Sequence, residues 1–339
     1  MSEMKVSDSI AEVYLQISPN ILESFPKFRP PVDLYRFDDS VAQVKKIHKA
    51  ESRLGTAKQE QVTEDAGQGR LFLLREDYRV YAQHLSKKLG LVLVEDDLRP
   101  TEVAEIFFLA FRDRMELFLD QPTEVPLKKL LTDISILTEY LWTDPARVEF
   151  LTKTLYKEYS LAVHSVNTMF IGLAIYTMAT KGKMDKEHLV SLALALILHD
   201  IGMANVPRFI VDKEQYLVRA DRDSIEKHIE AGAQKLKRLG VTNSLVMQCL
   251  YQHHERIDCS GYPERRMGEN IEFVGRLCGV ADSFSAMVSD RPYHDPKVLT
   301  EAALALTKEP QKYEPVLAKL LAILLIDSGK LREVVSKGR

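Results

Sequence analysis

Leu194 to Gly202, LALILHDIG, reads as an apolar helix that ends in two adjacent metal-ligand side chains, so the rest of the fold has to bring partners to that end. Leu192, Ala195, Leu196 and His199 recur at helical spacing, and the face that carries leucines therefore delivers an imidazole at its last turn. Asp200 follows about 100° round the same turn. A neutral imidazole nitrogen beside a hard carboxylate oxygen suits a divalent first-row metal, and the two carboxylate oxygens can bridge two ions. Gly202 is expected to let the chain leave the helix.

Other histidines are distributed in the same way. His164 shares a predicted helical face with Thr168, Ile171, Ile175 and Met178, within one long helical segment that is expected to start near Pro145. Asp223 to Leu239 reads as a helix with Asp223 and Glu226 in capping-box spacing and Gly240 as its stop, which sets His228 one turn inside. Asn243 caps a helix, Ser244 to Gln252, that ends in His253-His254. Asp282 lies on the small-residue face Gly275, Cys278, Asp282, Ser285 of the next helix, and a buried carboxylate requires a cation or strong donors. His164 alone would read as a satisfied core residue. His164, His199, His228, His253 and His254 fall between 164 and 254 on apolar helices or at their ends, together with Asp200. Seven imidazole and carboxylate ligands exceed the needs of one tetrahedral zinc, whereas two octahedral ions sharing Asp200 use them well. Such a pair, bridged by a carboxylate and a hydroxide, makes a nucleophile at neutral pH and neutralises phosphoryl charge, so the expected substrate is a phosphate ester.

Composition sets the frame. A chain of 339 residues, 45% apolar and 28% charged, is expected to be globular, with a small α+β domain at 1–95, a helical connector at 96–145 and an all-helical domain at 146–339. The fold class is thus mainly α. Val32 to Phe37 and Arg70 to Leu74 read as strands, Asp77 to Lys88 as a helix, and His48 and His84 as solvated surface residues. The aromatic stripe of Thr101 to Leu119 is expected to face a core, with a homodimer seam as the alternative. Met203 to Arg222 reads as an irregular, lid-like stretch, and Val298 to Leu306 and Val316 to Ser328 as covering helices. A net charge of −3 gives no argument for DNA or an anionic membrane, and no stretch is expected to span a membrane. Three cysteines without Cys-x-x-Cys spacing point to a reducing cytoplasm.

His199-Asp200-Ile201-Gly202, followed by His253-His254-Glu255 and Gly261-Tyr262-Pro263, resembles the HD-GYP family, with further likeness in His164-Ser165-Val166-Asn167, Ala281-Asp282-Ser283-Phe284 and Asp290-Arg291-Pro292-Tyr293. The resemblance runs from about 147 to 310. It implies a helical, metal-dependent phosphodiesterase acting on cyclic di-GMP with two divalent ions, iron or manganese. One ion would be held by His164, His199, Asp200 and Asp282, and the other by Asp200, His228, His253 and His254. Asp200 and His199 would then be catalytic, Arg291 would contact the nucleotide, and Gly261 and Tyr262 would shape its pocket. From its surroundings alone, Arg291 is equally a surface charge, and Tyr262 can pack on its own turn as well as stack on guanine.

Three departures concern the substrate side. The family's usual lysine after the glycine is Met203 here, the aspartate of its Asp-Ala pair is Ser285, and a basic position after Arg-Pro-Tyr is His294. A glutamate that adds a third metal in some members is Ser160, while Glu158 stands two residues out of register, so two ions are expected. Two alternatives stay open: a weakly catalytic cyclic di-GMP receptor that keeps the metals, and a phosphohydrolase of another cyclic nucleotide or a mononucleotide. The N-terminal domain, lacking a ligand cluster, is expected to sense a signal or bind a protein partner.

Overall fold

A computed structural model describes residues 8–40, 43–94, 98–291 and 295–327. The chain forms two compact units, 1–110 and 111–339. In the first, strands β1 (Tyr14–Gln16), β2 (Leu34–Asp38), β3 (Gln43–His48) and β4 (Leu71–Leu74) form an antiparallel sheet of order β1-β4-β2-β3. Its helices are α1 (Asp8–Val13), α2 (Pro19–Ser24), α3 (Thr56–Gly67) and α4 (Tyr78–Leu85). The continuous apolar run of β4 predicts a strand covered on both faces, and β4 is interior to the sheet with Leu71, Phe72 and Leu73 buried. Strand β3, QVKKIH, escapes sequence reading because its lysines interrupt the alternation; it is an edge, where lysines discourage further pairing. His48 is not solvated, and His84 is half-buried. His48 is buried beside Ser52 at 3.4 Å, and His84 Nε2 lies 2.5 Å from the Ser24 carbonyl against the Phe25 ring.

Helix α5 (Pro100–Asp120) carries the aromatic stripe, and Phe107, Phe111 and Phe118 are fully buried, as a core face requires. The second unit continues with α6 (Glu124–Thr143), α7 (Val148–Thr152), α8 (Leu161–Ala179) and α9 (Lys186–Leu198). After α10 (Arg208–Val211) come α11 (Arg219–Glu226), α12 (His228–Arg238), α13 (Ser244–Gln252), α14 (Phe273–Val288), α15 (Leu299–Thr307) and α16 (Pro315–Ile326). Helix α8 is apolar on all sides and buried along nearly its whole length, packed against α7, α9, α14 and α16.

Several boundaries differ from those read in the sequence. The segment from Pro145 is broken between Thr152 and Leu161, and Ser160 is the N-cap of α8, accepting from the Val163 N–H at 3.1 Å. Asn167 holds the break in place: its amide donates to the Tyr156 carbonyl at 2.8 Å and accepts from the Tyr156 N–H at 3.3 Å. Replacing Asn167 by Ala is expected to cost about 1–3 kcal/mol in chemical denaturation, because both Tyr156 groups lose their partner. Asp223 and Glu226 form no capping box; Asp221 takes that role, accepting from the Val218 N–H at 3.0 Å, and the helix divides between Glu226 and His228.

Contrary to the sequence expectation, Leu161–Ala179 and Lys186–Asn205 are long and apolar enough to cross a membrane. Their 18-residue windows are 94% and 67% buried within the protein, so their apolarity is accounted for by the helical core.

Candidate metal centre

Five helices converge their ligand-bearing turns. His164 stands one turn inside α8, His199 and Asp200 follow the last turn of α9, and His228 opens α12. His253 and His254 follow α13, and Asp282 lies midway along α14. All are buried except His254, whose side chain is 20% exposed. His164 Nε2 is 3.0 Å from Asp282 Oδ1 and 3.8 Å from Asp200 Oδ2, and His199 Nε2 is 3.7 Å from Asp282 Oδ1. On the other side of Asp200, Oδ1 is 3.2 Å from His228 Nε2 and 3.7 Å from His253 Nε2. Asp282 Oδ2 lies 3.8 Å from His254 Nδ1. Ligand atoms within 4.8 Å of one another form two groups, Asp200-His228-His253-His254 and His164-His199-Asp200, with Asp200 in both.

The residues fit cations rather than one another. Asp200 Oδ1 and His199 Nε2 are buried without a hydrogen-bond partner, an arrangement that costs several kcal/mol unless a charge is supplied. The outer nitrogens are oriented by the backbone: His199 Nδ1 lies 2.7 Å from the Leu196 carbonyl, His228 Nδ1 2.6 Å from Ile225, and His253 Nδ1 3.0 Å from both Cys249 and Leu250. A nitrogen facing a carbonyl must carry the hydrogen, which leaves the three Nε2 atoms as the positions that face the cluster.

Burial pushes the Asp200 carboxyl up, but His253, His228 and His199 outweigh it and hold it well below the carboxylate range. Asp282 is likewise held down by His164, His199 and His254 against its own burial. Burial pushes His164, His253 and His254 down, so these imidazoles are neutral and ready to ligate. His199 differs: burial lowers it, but Cys278, Asp282 and Asp200 carry it up to about 10. Between its ordinary value and that one, the metal-free protein keeps a proton on His199 that a ligand must release. Metal binding at pH 7.5 is therefore expected to release about one proton per chain, seen as a dependence of the calorimetric enthalpy on buffer ionisation; an enthalpy independent of buffer would contradict it.

Groups that carried no role in the sequence reading hold the ligands in place. Arg256 donates from Nη1 to the His253 carbonyl at 2.9 Å and the Glu255 carbonyl at 2.8 Å, and from Nη2 to Ser283 Oγ at 3.1 Å. It thus ties the His253-His254 turn to the neighbour of Asp282. Glu255 is buried and accepts from the Glu264 and Arg266 N–H groups at 2.7 and 2.9 Å, fixing the return of the Gly261-Tyr262-Pro263 loop. The signal available in sequence was adjacency alone. Arg256→Met is expected to lower metal affinity about 10–100-fold, measured by competition with a chelating dye, since outer-shell partners have effects of that size.

Gly202 does not end the helix, which has already stopped at Leu198. It permits close approach: a Cβ there would stand 1.8 Å from the His228 carbonyl oxygen. Gly261 is confined similarly, 2.3 Å from the His254 carbonyl oxygen. Tyr262 donates its N–H to that carbonyl at 3.2 Å and lays its ring 4.6 Å from the His254 ring, so it packs on the ligand turn. Arg291 lies over the Tyr159 ring at 4.5 Å and is not a free surface charge. Ser285 is fully buried on α14, one turn after Asp282, and Met203 is half-buried just past Asp200. Glu158 pairs with Asp290 in a parallel bridge outside α8. Pro292, Tyr293, His294 and Ser328 lie outside the described residues.

Residues 151–317 match the HD domain family. A cyclic di-GMP phosphodiesterase of Thermotoga maritima is 35% identical over 140 residues, covering 40% of this chain and 37% of that protein. A 3'3'-cGAMP-specific phosphodiesterase 2 of Vibrio cholerae is 34% identical over 131 residues, covering 37% of this chain and 24% of that protein. The chain therefore matches well under half the length of these curated relatives. The solved structure of Bd1817, a HDG"Y"P protein from Bdellovibrio bacteriovorus, superposes with a TM-score of 0.62 at 16% identity, over 92% of this chain and 99% of that one, and so shares the fold. Residues 151–317 thus match an HD domain, and within it the His-Asp and Gly-Tyr-Pro motifs lie at one centre, as the resemblance to the HD-GYP family implies.

Proposed function

We propose that this chain is a metal-dependent phosphodiesterase that hydrolyses cyclic di-GMP to pGpG or GMP at a two-metal centre. The observation that carries this reading is the buried carboxylate of Asp200, shared by two ligand groups built from five histidines and supplemented by Asp282. Asp200, His164, His199 and Asp282 would hold one ion, and Asp200, His228, His253 and His254 the other. All seven donors are imidazole or carboxylate, which favours iron or manganese over a thiolate-preferring metal. When bound, two such ions neutralise phosphoryl charge and activate water for in-line attack.

The chain's own residues supply the geometry. Asp200 and His199, fixed by buried backbone contacts, define where the scissile phosphate must sit. Tyr262, leaning on His254, limits the mouth, and Arg291 offers a guanidinium for a second phosphate. The relatives named for cyclic di-GMP and cGAMP support a cyclic dinucleotide as the substrate class. Steady-state assays of the manganese- or iron-loaded protein should show cyclic di-GMP turnover that exceeds turnover of cyclic AMP, with pGpG or GMP as product. Equal rates on both would remove the dinucleotide reading.

Met203, in place of a cation beside Asp200, favours a second reading: a weakly catalytic receptor that binds cyclic di-GMP and keeps the metals. The first unit, with no ligand cluster among its described residues, would serve either reading as a sensory or partner-binding module, in a cytoplasmic protein.

A further inference from the structure

Beside the metal centre the second unit has a cavity of about 550 Å³, within the range of roughly 300–1,000 Å³ usual for small-molecule sites. Its walls connect directly to two ligands. Ser160 and Leu161 line it one turn before His164, whose N–H bonds the Ser160 carbonyl at 2.9 Å. Met203 lines it three residues after Asp200, and its N–H bonds the Asp200 carbonyl, also at 2.9 Å. Tyr159 lines it too and carries the Arg291 guanidinium 4.5 Å from its ring centroid. That pairing is built by the backbone: the Asp290 N–H bonds the Lys157 carbonyl at 2.7 Å, and the Glu158–Asp290 bridge docks the loop before α8 onto the end of α14.

The lining chemistry excludes one half of a nucleotide and suits the other. Among the described lining residues, Glu116, Asp120 and Asp212 contribute three carboxylates against the single guanidinium of Arg208, so a phosphate would be repelled. Tyr159, Leu161, Met203 and Val206 present aromatic and apolar surface of the kind on which a heteroaromatic ring packs. A lysine at 203 would place an ammonium in this wall, whereas methionine offers a polarisable thioether to an aromatic face.

We propose that the cavity bounded by Tyr159 and Met203 is a purine-base subsite, which holds a base of the substrate while the phosphate lies at the metal centre, and that Met203 is a specificity-determining wall residue. The proposal rests on the phosphodiesterase reading for the identity of the phosphate's site, yet its test needs no turnover. GMP and ribose 5-phosphate share a phosphate and a ribose, and only the first carries a base.

Calorimetric titration of the manganese-loaded full chain is expected to show GMP binding about tenfold or more tighter than ribose 5-phosphate, the effect of one stacked base. Ala204→Trp, at the exposed mouth of the cavity, is expected to reduce that preference to less than about threefold, and Tyr159→Ala to lower it several-fold without adding bulk. Circular dichroism and metal content of both variants verify that they fold. A wild type with no preference for GMP, or folded variants that both retain the full preference, would overturn the subsite. If the preference is present and is lost in the variants while cyclic di-GMP stays intact, the subsite stands and the hydrolytic reading fails.

Discussion

Asp200→Ala should release both metal ions and abolish hydrolysis, because its carboxylate belongs to both ligand groups. His228 and His253 would lose the acid that faces them at 3.2 and 3.7 Å, and His164 the one at 3.8 Å. Removing a two-ion clamp forfeits several kcal/mol of transition-state stabilisation. At about 1.4 kcal/mol per decade, that is a loss of roughly 10³-fold or more in kcat/KM. His164→Ala is expected to be milder in metal content, since it touches one group of the two. Elemental analysis of each variant beside its rate distinguishes these outcomes. An Asp200→Ala protein that still carries two ions would show that Asp200 is not the bridge.

Gly202→Ala is the second large effect, and it acts on stability. The added Cβ would fall 1.8 Å from the His228 carbonyl oxygen and 2.8 Å from the Gly232 nitrogen, both backbone atoms of α12 that cannot turn aside like a side chain. Helix α12 must therefore move, and it carries His228. Overpacking of this kind costs about 3 kcal/mol or more. For a unit of this size that corresponds to a fall of about 6–12 °C in Tm. Metal affinity should fall with it. A thermal scan of the metal-free protein reads the packing effect alone, and a Tm within about 2 °C of wild type would mean that α12 relaxes freely.

The ligand set was legible in the sequence because metal chemistry forces recognisable residue types onto apolar helices. His164, His199, Asp200, His228, His253, His254 and Asp282 stood out because an imidazole or carboxylate on a leucine-rich face needs a reason to be there, and the structure brings all seven together. The helix order and the interior strand β4 were legible on the same ground of apolar patterning. What escaped was whatever depends on contacts remote in sequence. Gly202 looked like a helix terminator because glycine commonly is one; only the position of α12 shows that it is a point of close approach. Arg256 and Glu255 carry no mark of their roles in the sequence, because nothing local says that one reaches Ser283 and the other the 264 and 266 amides. Helix breaks at 153–160 and at Lys227 were hidden because no glycine or proline marks them.

One chain is expected to hold two ions around Asp200 and to use them on a cyclic dinucleotide. Anaerobic reconstitution of the purified chain with iron or manganese, followed by metal analysis and cyclic di-GMP turnover on the same sample, tests it most directly. About two ions should bind per chain, turnover should rise with the filling of the second, and His199→Ala should lose both. Full occupancy with cyclic di-GMP turnover no faster than that of His199→Ala would contradict it.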